Sequence, residues 1–203
     1  MTTLPTPEFG DVLPIEASPA TLAFLARRRS ASAMTLTAPA PNPDELAVLL
    51  RLAARVPDHG KLAPWRFVIL DGAAKSAFVA GLETIAERRP DAAKAVAKLG
   101  KIRVPPLTVA VVSHAIEGGE IPVWEQRLSA GAVCLQMVIA AGAMGYGANW
   151  ITDWYAYDSD ALTLLGLGEG EQLAGFVHLG TAAEPPLERV RPDVAAITTR
   201  WGA

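Results

Sequence analysis

The stretch LSAGAVCLQMVIAAGAMGYGANW, residues 128–150, constrains the fold of this chain more than any other. It is poor in charge and rich in alanine and glycine, so it must be buried. A membrane is one place to bury it. Gln136 interrupts the stretch, however, and leaves about 17 apolar residues, short of the ~20 that span a bilayer comfortably. Its small residues suit close helix packing better than contact with lipid. The segment therefore reads as a buried central helix, roughly 123–144, around which the rest of the chain is laid. With 203 residues and a hydrophobic fraction of 51%, the chain is long enough for one sizeable core.

Strands and further helices follow from local pattern. WRFVIL (65–70) reads as a strand closed by the turn pair Asp71 and Gly72. LTVAVVS (107–113) is a continuous apolar, β-branched run, the mark of a buried strand. AGFVHLGT (174–181) is a third strand, and GANWITDW (147–154) a fourth candidate. Ser18 and Pro19 open a short helix as N-cap and first residue. Asn42, Pro43 and Glu45 form a capping-box start to a second helix. Leu46, Leu49, Leu50, Ala53 and Ala54 then give it one apolar face. Residues 74–89 and 91–103 read as helices separated by Pro90, and 158–166 as a short one. The first 17 residues, with prolines at 5, 7 and 14, form an irregular arm; 18–203 is a single α+β domain with a tail beyond 181 that cannot bury itself.

Charge and motif exclude several classes of function. A net charge of −3 gives no basic field for nucleic acid. The start MTTLPTPEFGDVLP has neither a basic nor an apolar leader region, which predicts a cytoplasmic protein. One cysteine, Cys134, forms no intrachain disulfide and reads as a buried small hydrophobe. His59, His114 and His178 lie far apart, so no metal site is expected. Gly-x-Ser-x-Gly, the phosphate loop and His-Glu-x-x-His are all missing. The glycines of GAMGYG end a helix rather than open one, which favours a C-cap over a dinucleotide fingerprint. Trp65 and Trp150 read as packing residues, and His178 as a satisfied structural histidine. Trp124, Glu125 and Gln126 begin the central helix. The run RRRSAS (27–32) has two readings, a solvated helix end or an anion site of guanidinium and hydroxyl groups.

Five fragments then carry a resemblance: RRRSAS (27–32), ARVPDHGKLAPWRF (54–67), VWEQRLSAG (123–131), GYGANWITD (145–153) and GFVHLGT (175–181). In order and spacing they resemble the nitroreductase family of FMN-dependent oxidoreductases, in the branch with Pro-Asp-His before Pro-Trp. The resemblance implies an α+β sandwich with a mostly antiparallel central sheet flanked by helices. It also implies a homodimer packed through the long central helix, with FMN at the interface. Arg28, Arg29 and Ser30 match the family's Arg-Arg-Ser, which binds the FMN phosphate and ribityl chain; Ser32 follows in the same stretch. Arg55 and His59 match residues reaching the flavin from the second subunit. Trp150, Ile151 and Thr152 match the segment beside the flavin ring. Where many members carry Asn and Gln, this chain has Lys61 and Ala63; Lys61 places a cation near the flavin, and Ala63 offers the ring no side-chain hydrogen bond.

The activity implied is hydride transfer from NADH or NADPH through FMN to a small electron-poor acceptor, nitroaromatic or quinone-like, with ping-pong kinetics. The cofactor carries the chemistry, so no side chain is expected to act as a nucleophile and Cys134 is dispensable. The tail after residue 181 is expected to cross to the second subunit. Neither nucleic acid nor membrane is an expected partner. Two other readings stay open from the residues: a non-redox nucleotide- or anion-binding module, and a structural dimer that uses the Ala/Gly-rich helix as its seam.

Overall fold

Seven consecutive buried residues make Leu107–Ser113 the central strand β3 of the computed structural model, which describes residues 4–202. Burial on both faces is what removed any polar alternation from its sequence. The longest strand, β5 (Gln172–Ala182), pairs with β3 along one edge; β4 (Gly147–Ile151) pairs along its other edge, since Thr108 and Asn149 both stand opposite His178. β2 (Trp65–Asp71) pairs with the free side of β3, and β1 (Leu36–Thr37) with the end of β5. Every pairing is antiparallel, in the order β1-β5-β3-β2 with β4 also on β5.

Alternate residues of these strands enter two cores. Val109, Val111, Val177 and Leu179 face α2 (Pro43–Ala53) and the long helix α6 (Val123–Ala143), meeting Leu49, Ala53, Cys134 and Met137. Ala110, Val112 and Phe176 face the other way, towards α3 (Gly72–Glu87), α4 (Ala92–Lys98) and α5 (Gly100–Arg103), with Phe78, Leu82, Leu99 and Ile102. This period-two division makes the domain a helix–sheet–helix sandwich. Burial pushes the Cys134 thiol up to about 12, so it behaves as a small apolar group.

The helix ends follow the sequence closely. Ser18 accepts from the Thr21 amide ahead of α1 (Pro19–Ala26). Asn42 and Glu45 exchange side-chain and backbone bonds at 3.0 and 2.9 Å. α6 stops where Gly145 turns left-handed at φ 87°, with Tyr146 N donating to Ala141 O at 2.9 Å and Gly145 N to Gly142 O at 3.1 Å.

Four details differ from expectation. Asp71–Gly72 is no free turn, because Gly72 at φ 44° leads β2 directly into α3. The 91–103 helix is split between α4 and α5 next to Gly100, a residue with little helix preference that lets the Met34 side chain lie against the backbone. β4 stops at Ile151 because Asp153 caps a turn at Trp154–Ala156. β1 escaped the sequence reading altogether, since two residues carry no periodicity. The 158–166 helix is α7 (Ser159–Leu164).

His178 is satisfied only by half. Its Nδ1 meets Thr108 Oγ1 at 2.9 Å, while Nε2 is buried without a partner. Lys75, on α3, is buried beside it and donates to Pro105 O and to Thr108 Oγ1. Burial lowers Lys75 to about 8 and His178 to about 3. Both groups therefore hold more protons unfolded than folded. Stability should rise with pH between about 8 and 10.5 through Lys75, and fall as pH drops from 6.5 towards 3 through His178. At about 1.36 kcal/mol per pKa unit the alkaline limb is expected to be about 3 kcal/mol and the acid limb about 5 kcal/mol. Urea titrations of wild type and Lys75→Met across the alkaline range check this; an alkaline rise that persists in Lys75→Met assigns it elsewhere.

Candidate functional site

The three arginines lie where α1 ends. Arg27 closes the helix, its amide donating to Phe24 O, and the chain then extends along β4. Ala31 N donates to Ala148 O at 3.0 Å, and Asn149 Nδ2 donates to Ala31 O. This lacing holds Arg28, Arg29 and Ser30 against the strand that carries Trp150. Arg28 Nη1 reaches Ser30 Oγ at 3.4 Å. Arg29 Nε donates to Leu187 O at 2.8 Å and stands 3.7 Å from Glu188, so it also holds the start of the tail. Ser32 caps the turn Ala33–Thr35, accepting from Met34 N at 3.3 Å.

These residues surround a cavity of ≈ 630 Å³, with Arg28, Arg29, Ser30, Ser32, Asn149 and Trp150 in its lining. Thr35 adds a hydroxyl, Arg189 a further cation, and Glu184 a single carboxylate. The volume suits a small-molecule ligand. Guanidinium forks with hydroxyl and amide donors suit one bearing a phosphate.

Trp150 is fixed by backbone on two sides. Its indole Nε1 donates to Ala174 O at 3.2 Å, in the bulge where β5 has an extra residue against Val111–Val112. A Cβ on Gly175 would fall 2.1 Å from that nitrogen, and one on Gly131 of α6 would lie 3.9 Å from the far ring edge. Glycine at 175 is thus required for the indole to lie where it does. Trp150 is 39% exposed and lines the cavity, so part of its ring is open beside the arginines. Ile151 and Thr152 complete the segment, half-buried, with Tyr157 OH donating to Thr152 Oγ1 at 3.1 Å. Asp153 anchors its end, bound by Lys98 at 3.2 Å, Lys101 at 2.8 Å and the Trp154 amide at 2.7 Å. Burial alone would raise this carboxyl; those lysines and the amide hold it below its usual value.

Arg55, His59 and Lys61 do not line this cavity. Arg55 is exposed just after α2. His59 and Lys61 lie on the Pro57–Pro64 loop, where His59 Nδ1 meets Glu125 Oε2 at 2.7 Å on the first turn of α6. The chain brings together one expected group, Arg28, Arg29, Ser30, Ser32 and Trp150, and keeps the second apart. Trp65 is a packing residue as expected, its Nε1 donating to Ser129 Oγ at 3.2 Å. Asn149, Thr35 and Gly175 were missed. A lone glycine within a strand pattern was the available signal for the bulge at 175. Among the described residues there is no group of three or more His, Cys, Asp or Glu placed to hold a metal, and no helix long and apolar enough to cross a membrane.

An antiparallel sheet between two helical layers, with a cavity lined by arginines and serines at the end of the first helix, defines an α+β sandwich. The nitroreductase family model matches residues 25–181. YdjA of Escherichia coli strain K12, a candidate NAD(P)H nitroreductase, is 36% identical over 162 residues, 79% of this chain and 87% of YdjA. The chain belongs to the nitroreductase family, a family of oxidoreductases. Its fold is that of a nitroreductase-like protein from Bacillus cereus, with a TM-score of 0.81 at 20% identity over 94% of this chain and all (100%) of that one. A nitroreductase from Bacteroides fragilis solved with bound FMN gives 0.67 at 20% identity over 90% and 99%.

Proposed function

We propose that the protein is a homodimeric oxidoreductase that binds FMN and passes hydride from NADH or NADPH to a small electron-poor acceptor, nitroaromatic or quinone-like. The observation carrying this reading is the cavity in which Arg28, Arg29, Ser30 and Asn149 converge beside a glycine-backed Trp150. When bound, FMN supplies the acceptance and donation of hydride. The protein's own residues bind and orient it. Arg28 and Arg29 hold the phosphate by charge-assisted bonds, Ser30 and Ser32 stand along the ribityl chain, and Trp150, Ile151 and Thr152 flank the ring. The second copy supplies Arg55 and His59, and Lys61 places a cation near the flavin.

Exposed apolar surface supports the dimer. α6 exposes Trp124, Leu128 and Leu135 along one side, and none of the eight residues of α1 is buried. Beyond residue 182 the tail runs past the arginines, held by Arg29 at Leu187 O and by Arg191 at Arg28 O, and leaves Leu187, Val190, Ile197 and Trp201 exposed. Burial of such side chains stabilises by about 1.5–3 kcal/mol each, so a second subunit is the natural cover, with the tail crossing to it.

The test is anaerobic. Purified protein should be yellow, NAD(P)H should bleach it, and a nitroaromatic or quinone should restore the colour. Steady-state plots should give parallel lines, as one pocket serves donor and acceptor in turn; Cys134→Ser should retain reduction. Protein that binds FMN without bleaching would leave the non-redox binding module, and protein that takes up no FMN would leave that module or the structural dimer. The same measurement on a chain ending at residue 183 should show weaker dimerisation and flavin retention together; a tight yellow dimer without the tail excludes the crossing.

A further inference from the structure

The first turn of α6 organises two loops at the end of the molecule away from the arginines. Gln126, buried, accepts from Ile116 N at 2.8 Å and donates to Ile116 O at 3.1 Å and Ile121 O at 2.9 Å. Its neighbour Glu125 takes the His59 ring at 2.7 Å from the loop on the other side. That loop is strained. Gly60, Lys61 and Ala63 all have positive φ, at 76°, 55° and 45°, and two of them are not glycine. Such positions cost about 1–3 kcal/mol each and persist only where their surroundings impose them. The Asp58 carboxylate imposes them here, accepting from Leu62 N at 3.2 Å and Ala63 N at 2.7 Å.

The His59–Glu125 pair is poorly explained as a stability device. Its side chains are 62% and 45% exposed, and exposed pairs of this kind add little to folding. Its geometric consequence is definite. With a carboxylate oxygen on Nδ1, that nitrogen carries the proton and the ring is held about its two side-chain torsions. Nε2 is then the nitrogen left to meet a ligand. Asp58 is occupied by the backbone, which leaves Glu125 as the group that sets the ring.

We propose that Glu125 is a positioning residue for His59, fixing the ring so that Nε2 faces the flavin held mainly by the other copy. This rests on the FMN reading given above. Glu125 itself touches no cofactor; it acts through the imidazole.

The experiment uses the FMN-loaded dimer and measures flavin dissociation by fluorescence for His59→Ala, Glu125→Ala, Glu125→Gln and the double alanine variant. His59→Ala and Glu125→Ala should each weaken FMN binding about tenfold, and the double variant should be no weaker than His59→Ala alone. Glu125→Gln, which keeps an acceptor oxygen on Nδ1, should stay within about twofold of wild type. Nitrogen-15 NMR of the wild-type ring should show the Nδ1-protonated form, and Glu125→Ala should lose that preference; the matching loss of FMN affinity, restored in Glu125→Gln, is what a merely structural pair would not give. Additive losses, wild-type affinity in Glu125→Ala, or Glu125→Gln behaving like alanine would each overturn the proposal. If His59→Ala has no effect while Arg28→Ala still releases flavin, the proposal fails and the FMN reading stands. If no variant, Arg28→Ala included, alters FMN binding, the placement of FMN against these residues has failed; if the wild type itself takes up no FMN, the FMN reading has failed.

Discussion

Arg28→Ala should yield folded protein that loses FMN on dialysis. Arg28 is half-buried at the cavity wall, and among the described residues its guanidinium is engaged only by a long bond to Ser30, so donors remain for a dianion. Hydrogen bonds to charged groups contribute about 1.5–3 kcal/mol each, and two lost bonds correspond to an affinity fall of about 100-fold or more. Arg29→Ala should fall similarly, with an added effect on the tail, since Arg29 also holds Leu187 O and faces Glu188. Riboflavin, lacking the phosphate, should bind wild type weakly and should discriminate little between wild type and Arg28→Ala. Flavin titration by fluorescence quenching checks both. Wild-type FMN affinity in both variants would remove the arginines from the phosphate site.

Mixing two defective proteins should restore function. Arg28 and His59 do not share a cavity within one chain. If each flavin takes its phosphate contacts from one copy and its His59 contact from the other, a heterodimer of Arg28→Ala and His59→Ala protomers places both lesions in one site. The other site is then intact. After subunit exchange, flavin retention should rise above that of either homodimer, to about one full-affinity site per heterodimer. Recovery is read by flavin absorbance and NAD(P)H bleaching, with exchange verified by differently tagged protomers. No recovery in verified heterodimers would mean that both contacts are made within one chain.

Much of this molecule was legible because the information is local. β3 declares itself by its apolar, β-branched run, all seven residues of which are buried, and the Asn42–Glu45 capping box by its spacing alone. The arginine run marks the end of α1, and the small residues of α6 mark a helix that must be packed closely. The resemblance to the nitroreductase family likewise rests on short fragments in order, each readable without coordinates.

What only the tertiary structure decided are encounters between residues distant in the chain. Lys75 looks like a surface residue on α3, and becomes a buried cation because the sheet sets Thr108 and Pro105 beside it. Trp150 gains its fixed orientation from a bulge at Ala174–Gly175 on the neighbouring strand. His59 finds Glu125 66 residues away, and β1 exists only because the end of β5 offers it an edge. Side-chain period and end-capping are properties of a few consecutive residues, and sequence states them directly. Strand register and helix placement bring remote residues together, and the free energy of that packing is shared among many contacts, none of which is visible in one segment.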